Sequence, residues 1–156
     1  MTVKQLMTTP VKTCRANALV GEAARMMLEE NCGCLPVTDA KGHLAGILTD
    51  RDICLAVARH LDPTKTPVRD VMTVRVVSCG VEDYLDRALV EMKENRVRRL
   101  PVVDNRGGVK GVISIDDVIR NSGIAEGRLP GEAVVDVLRH ICTPEADVVV
   151  SGWRRP

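Results

Sequence analysis

The sequence has 156 residues, 45% of them apolar and 28% charged, with a formal net charge of +1. That profile excludes a disordered chain, offers no electrostatic footprint for DNA or a membrane surface, and buries a core without disulfide or metal staples. Tyr84 and Trp153 are the only aromatics, so the core is aliphatic and nucleic-acid stacking platforms are missing.

No apolar run approaches the ~20 residues that span a membrane. The opening Met1 to Met7 has no apolar stretch of signal-peptide length. The expected location is the cytoplasm, where Cys14, Cys32, Cys34, Cys54, Cys79 and Cys142 stay mostly reduced. None of them forms a Cys-x-x-Cys pair, so no zinc or thioredoxin-type motif is indicated.

In chain order, a strand is predicted near Val11, then a helix from Val20 to Glu29. A strand Leu35-Pro-Val37 follows, with a turn Asp39-Ala-Lys-Gly42, a strand from Leu44 to Thr49 and a helix from Arg51 to Arg59. His60 to Pro67 carries two prolines and reads as a linker. Val74-Arg-Val-Val-Ser78 is a β-branched run and reads as a strand. Leu85, Ala88, Leu89 and Met92 recur at helical spacing, and Asp83 stands where it can cap that helix. Leu100 to Val103 and Val109 to Ser114 read as strands around the turn Asp104-Asn-Arg-Gly107, and a helix follows from about Asp116. Val134, Val137, Leu138 and Ile141 share one stripe of a last helix, which either packs on its own chain or serves a dimer contact. Trp153-Arg-Arg155 is a terminal tail, a place where mobility is usual.

The chain repeats itself at a shift of 65 residues. Val3-Lys-Gln-Leu-Met-Thr8 falls on Val68-Arg-Asp-Val-Met-Thr73, Leu35-Pro-Val on Leu100-Pro-Val, Gly46 on Gly111, and Asp52 on Asp117. About 15 of the roughly 50 positions from 3 to 52 match their images, with no gap. The organisation is therefore a first repeat at 1–60, a linker at 61–67, a second repeat at 68–122, and a C-terminal helix and tail at 123–156. The fold class is α+β, two tandem βαββα units.

Two segments carry chemistry. Thr49-Asp-Arg-Asp52 and Ser114-Ile-Asp-Asp117 each place a hydroxyl at a strand end and a carboxylate three residues on. That is the spacing of a capping box; it is equally the spacing of an anion site at a helix N-terminus, with a carboxylate free to accept hydroxyl protons. Arg51, beside Asp52, can pair with phosphate, whereas Asp116 at the matching place repels it. Arg96, Arg98 and Arg99 precede Leu100 in the second repeat, where the first has Asn31, Gly33 and Cys34. They are either a solvated basic helix end or ligand contacts. Cys32-Gly-Cys34 is a thiol pair, a soft-metal site or buried packing, and packing is the default for free cysteine. The three histidines form no ligand spacing. No Gly-x-x-x-x-Gly-Lys loop, paired catalytic carboxylates or nucleophile with a base can be found, so an enzyme is not expected.

The doubled openings, the Leu-Pro-Val strands and the segments Gly46 to Asp52 and Gly111 to Asp117 resemble the CBS domain, named after cystathionine β-synthase, arranged as a tandem pair. The resemblance covers about residues 1–120. The whole chain is similar to stand-alone bacterial CBS-pair proteins, and its tail from Gly131 to Pro144 to that of hypoxic response proteins. The resemblance implies a pseudo-twofold pair that dimerises, with AMP, ADP or ATP as a regulatory ligand between the repeats and no required cofactor. It implies that Asp52 and Asp117 accept ribose hydroxyls, with Thr49 and Ser114 close to ribose or phosphate. Cys34, Arg98 and Arg99 would face the clefts, and adenine would lie near Thr13 and Pro36 in one repeat and Ser78 and Pro101 in the other. The function expected is a regulatory nucleotide sensor acting on an unidentified protein partner or through its own homodimer. The alternative is a structural or thiol-responsive homodimer without nucleotide. Apolar stripes at Leu85, Leu89, Met92 and at Val20, Met27 suggest dimerisation through helices.

Overall fold

The computed structural model describes residues 1–121 and 131–143; the tail around Trp153 lies outside them. Each repeat builds one three-stranded sheet. In the first, β1 (Cys14–Arg15) pairs parallel with β2 (Cys34–Thr38), which pairs antiparallel with β3 (Leu44–Thr49). In the second, β4 (Cys79–Gly80), β5 (Arg99–Val103) and β6 (Val109–Ser114) repeat that order. The registers are images of one another, Cys14 opposite Val37 and Cys79 opposite Val102.

The helices are α1 (Val3–Leu6), α2 (Val20–Glu29), α3 (Asp50–Ala58), α4 (Leu85–Glu94), α5 (Ile115–Asn121) and α6 (Gly131–Cys142). Alternation along β2 sends Leu35 and Val37 into a core with Met27, Ala23 and Leu48. Leu100 and Val102 do the same in the second repeat with Leu85, Ala88, Leu89 and Met92. Cys34 and Pro36 therefore point to the opposite face, where β2 meets β6 and β3 meets β5 across the pair.

The opening of each sequence repeat packs into the other repeat. Val3 is fully buried in the second core and Val68, in a short 3-10 turn Val68–Asp70, in the first. Thr8 N donates to Val112 O at 2.8 Å, and Thr73 N to Ile47 O at 2.9 Å. This crossing gives the repeated glycines a reason. A Cβ on Gly46 would stand 2.9 Å from Thr73 O, and one on Gly111 2.9 Å from Thr8 O.

Three expectations change. Val74 to Ser78 is not a strand, because parallel pairing with β5 begins only at Cys79; likewise β1 begins at Cys14 rather than near Val11. Asp83 does not cap α4. Its Oδ2 accepts from Gly80 N at 2.7 Å instead, closing the preceding turn, and Tyr84 occupies the cap position with no side-chain bond. The stripes at Leu85, Leu89, Met92 and at Val20, Met27 do not face outward, because their own cores consume them. The last helix packs on its own chain: α6 lies on α4 and α5, buries Val134 and Val137, and is pinned by Lys93 Nζ to Asp136 Oδ2 at 2.6 Å.

Candidate functional site

Two clefts lie between the repeats, related by the 65-residue shift. The first has a volume of about 330 Å³, the second about 280 Å³. In the first, Cys34, Ile47, Thr49 and Asp52 of the first repeat face Thr73 to Val77 and Asn95 to Arg99 of the second, through Thr73, Arg75, Val76, Val77, Arg98 and Arg99. In the second, Val112, Ser114, Asp116, Asp117 and Arg120 face Lys12, Glu30 and Cys32 to Cys34. Each cleft thus takes its carboxylate from one repeat and its opposite wall from the other.

The strand-to-helix turns realise the capping geometry in both clefts. Thr49 N and Oγ1 donate to Asp52 Oδ2 at 2.8 and 2.7 Å, and Asp52 N donates back to Thr49 Oγ1 at 3.2 Å. Ser114 N donates to Asp117 Oδ2 at 2.9 Å, Ser114 Oγ donates to the same oxygen, and Asp117 N returns to Ser114 Oγ at 3.1 Å. One carboxylate oxygen is therefore spent on the cap in each. The other differs. Asp52 Oδ1 has no partner among the described residues, whereas Asp117 Oδ1 accepts from Arg120 Nη2 at 2.6 Å. Asp117 is 6% exposed, Asp52 half-buried.

The cations differ as well. Among the described residues, Arg75, Arg98 and Arg99 have no carboxylate partner; Arg98 Nη2 instead meets Cys142 Sγ of α6 at 3.7 Å. In the second cleft Lys12 Nζ is held by Glu30 Oε1 at 3.0 Å. Charged lining residues of the first cleft are three arginines against Asp52, a formal +2. Those of the second are Lys12, Arg99 and Arg120 against Glu30, Asp116 and Asp117, a formal zero.

Of the expected site residues, Cys34, Thr49, Asp52, Arg98 and Arg99 come together in the first cleft, and Cys34, Arg99, Ser114 and Asp117 in the second. Arg51 does not line either cleft. Successive helix residues diverge by about 100°, so with Asp52 facing in, Arg51 is left exposed. Thr13 and Ser78 do not line them either; they adjoin the buried Cys14 and Cys79, and the walls come from Pro10 to Lys12 and Arg75 to Val77. Pro36 and Pro101 are buried where one sheet meets the other, opposite Ile47 and Val112, and it is these partners that reach the clefts. Arg75, Lys12, Glu30 and Arg120 were not anticipated. For Arg120 the signal was present, since it follows Asp117 at the i, i+3 spacing of a helical ion pair.

Burial pushes the Cys14 thiol up to about 11 and Cys79 to about 12, so both remain protonated at neutral pH. Burial also raises Cys34, with Arg99 pulling the other way. Among the described residues no group of three or more His, Cys, Asp or Glu side chains is placed to hold a metal, and no helix is long and apolar enough to cross a membrane.

Comparison with known proteins agrees with this architecture. The CBS domain profile matches residues 3–59 and 68–123. A CBS domain-containing protein of Bacillus subtilis, YhcV, is 39% identical over 76% of this chain and 84% of its own length. Hypoxic response protein 1 of Mycobacterium tuberculosis is 29% identical over 93% of this chain and 96% of its own. Other matched relatives are longer enzymes, of which the chain spans 19–24%. A CBS domain pair solved with 5′-methylthioadenosine and S-adenosyl-L-methionine superposes at a TM-score of 0.71, with 29% identity, over 79% of this chain and 96% of that one. CBSX2 solved with AMP superposes at 0.67, with 27% identity, over 76% and 93%. Doubled sheets, crossed openings and paired clefts are thus those of a tandem CBS pair, and the chain belongs to the CBS domain family.

Proposed function

We propose that this chain is a cytoplasmic regulatory module that binds an adenosine nucleotide of the AMP, ADP or ATP type in its first cleft. The observation that carries the reading is that one carboxylate oxygen without a partner among the described residues, Asp52 Oδ1, faces three arginines that have no carboxylate partner among them. A ribose 2′,3′-diol donates to that oxygen. Phosphates take Arg98 and Arg99, with Arg75 beside them, as charge-assisted partners. Adenine lies against Ile47, Val76 and Val77 and is read by backbone groups, since the described residues that line the cleft include no aromatic to stack on it. The similar CBS pair bound to AMP and the one bound to S-adenosyl-L-methionine support an adenosine ligand of this kind.

The ligand bridges the repeats, because Asp52 belongs to the first and the arginines to the second. Arg98 also touches α6 through Cys142, so a phosphate that draws Arg98 inward releases that contact. This gives the occupied state a route to the surface, where a partner protein or a second copy reads it. We assign the chain no catalytic step. Self-association uses the helices of the first repeat: α3 exposes Leu55 and Val57 and α2 exposes Leu28, whereas α6 covers the corresponding side of the second repeat. Light scattering should then report twice the 17.0 kDa chain mass; a clean monomer at tens of micromolar removes the dimer from the proposal.

Thermal unfolding tests the ligand. At a hundredfold excess over its dissociation constant a nucleotide stabilises the folded state by about 2.7 kcal/mol, which raises Tm by roughly 5–10 °C for a chain of this size. No shift with AMP, ADP or ATP overturns the reading.

A further inference from the structure

We infer that the chain holds one nucleotide rather than two, and that Arg120 is the residue that closes the second cleft. The inference rests on the nucleotide reading of the first cleft. Both clefts carry the same hydroxyl–carboxylate turn, so backbone and cap do not distinguish them. What distinguishes them is the second carboxylate oxygen. In the second cleft the Arg120 guanidinium donates to Asp117 Oδ1 at 2.6 Å and occupies the acceptor that a ribose diol would need. The matching position in the first repeat is Leu55, which has nothing to donate.

The arrangement is asymmetric in exposure. Arg120 is 70% exposed and the Asp117 side chain 9%, so a solvated cation covers an almost buried anion. A ligand entering this cleft has to displace that cation and then meets a wall with little left for phosphate. Lys12 is paired with Glu30, and Asp116 adds an unfavourable charge. Arg99 is the remaining cation, and it lines the first cleft as well. Phosphate bound in the first cleft therefore draws on the cation that the second would use.

Titration calorimetry of the full chain with AMP tests this. The parent chain should bind one AMP per chain. Arg120→Leu, which copies Leu55, should bind two, the second at least about tenfold weaker because it has fewer charge-assisted contacts. Arg120→Lys keeps a cation within reach of Asp117 and should still bind one. Combining Asp52→Ala with Arg120→Leu should weaken the tighter site by about ten- to a hundredfold, to or below the affinity of the second. Two sites in the parent, or a folded Arg120→Leu that still binds one, overturns the inference while leaving the first-cleft reading intact. No binding by the parent overturns both.

Discussion

The two clefts are a controlled comparison within one chain. They share a backbone, a sheet register and a hydroxyl–carboxylate turn, yet one presents a formal +2 with an acceptor unpartnered among the described residues, and the other a neutral surface in which Lys12 and Arg120 are already paired. Conservation of the turn between repeats therefore speaks for the strand-to-helix junction, which both need. Under the one-nucleotide proposal the ligand is decided by residues outside the turn: Arg98 against Gly33, Arg75 against Pro10, Leu55 against Arg120. In that proposal the shared turn sets where a ligand can sit, and its unshared neighbours set whether one does.

The sharpest way to break the comparison is to remove each carboxylate in turn. Asp52→Ala deletes the free diol acceptor, and hydrogen bonds to a charged group are worth about 1.5–3 kcal/mol. Nucleotide affinity should fall by about ten- to a hundredfold, read by calorimetry. Asp117→Ala should leave that affinity within a few-fold, although it costs stability through the lost cap, about 0.5–2 kcal/mol, and leaves Arg120 without its partner. Equal losses of affinity in the two variants would mean that the clefts are equivalent.

A second test moves from the ligand to the crossed openings. Alanine at Gly46 or Gly111 puts a Cβ against the backbone oxygen of Thr73 or Thr8, contacts that cannot yield as a flexible side chain does. Each change should cost about 1–3 kcal/mol as overpacking, measured by denaturant unfolding. The two costs should be similar, because here, unlike at the clefts, the repeats present the same surroundings. A neutral Gly111→Ala would break the pairing of Thr8 with Val112.

What the sequence displayed and what it hid divide along the same line. Periodicity placed α2 from Val20 to Glu29 and β6 from Val109 to Ser114 within their observed bounds, since those patterns are local. The capping boxes were legible from a three-residue spacing. The crossing of Val3 and Val68 was not, because both repeats carry the same opening and the sequence does not say which core each enters. Nor was the partnership of Asp52 with Arg98 and Arg99, which is long-range and follows only from that pairing of repeats. Arg51 was read as able to pair with phosphate because it is adjacent to Asp52, yet it lines neither cleft; on a helix adjacency separates side chains rather than joining them.

A smaller effect is expected at the cysteines. Cys34 lines both clefts and Cys32 the second, but neither provides the charge that distinguishes the clefts. Replacing both with Ser should leave nucleotide affinity within a few-fold. A large loss, or a change in shape on mild oxidation of the parent, would favour a thiol-based response over a nucleotide one.

The smallest expected effect lies in the two hairpin turns, Asp39 to Gly42 and Asp104 to Gly107, and it concerns acid. Asp104 is held down to about 2, first by the Gly108 N–H, then by Lys110 and the Arg106 N–H. Asp39 is also lowered, first by the His43 N–H, then by that of Lys41. The turns differ in their basic neighbours: Lys110 Nζ lies 3.1 Å from Asp104 Oδ2 where the first repeat has Ala45, and His43 Nδ1 lies 3.5 Å from Asp39 Oδ2 where the second has Gly108. A carboxyl whose folded-state pKa is depressed contributes stability that is present above its unfolded value, about 3.9, and lost as pH falls through the folded value. For Asp104 that window runs from near pH 4 down to about 2. Asp104→Asn should therefore lower stability at neutral pH slightly and flatten its decline across that window. Lys110→Ala, which copies the first repeat, should raise the Asp104 carboxyl toward the ordinary range in an NMR titration and leave Asp39 unchanged. If Asp104 stays near 2 without Lys110, the turn's own N–H groups suffice, and Lys110 is not what separates the two turns.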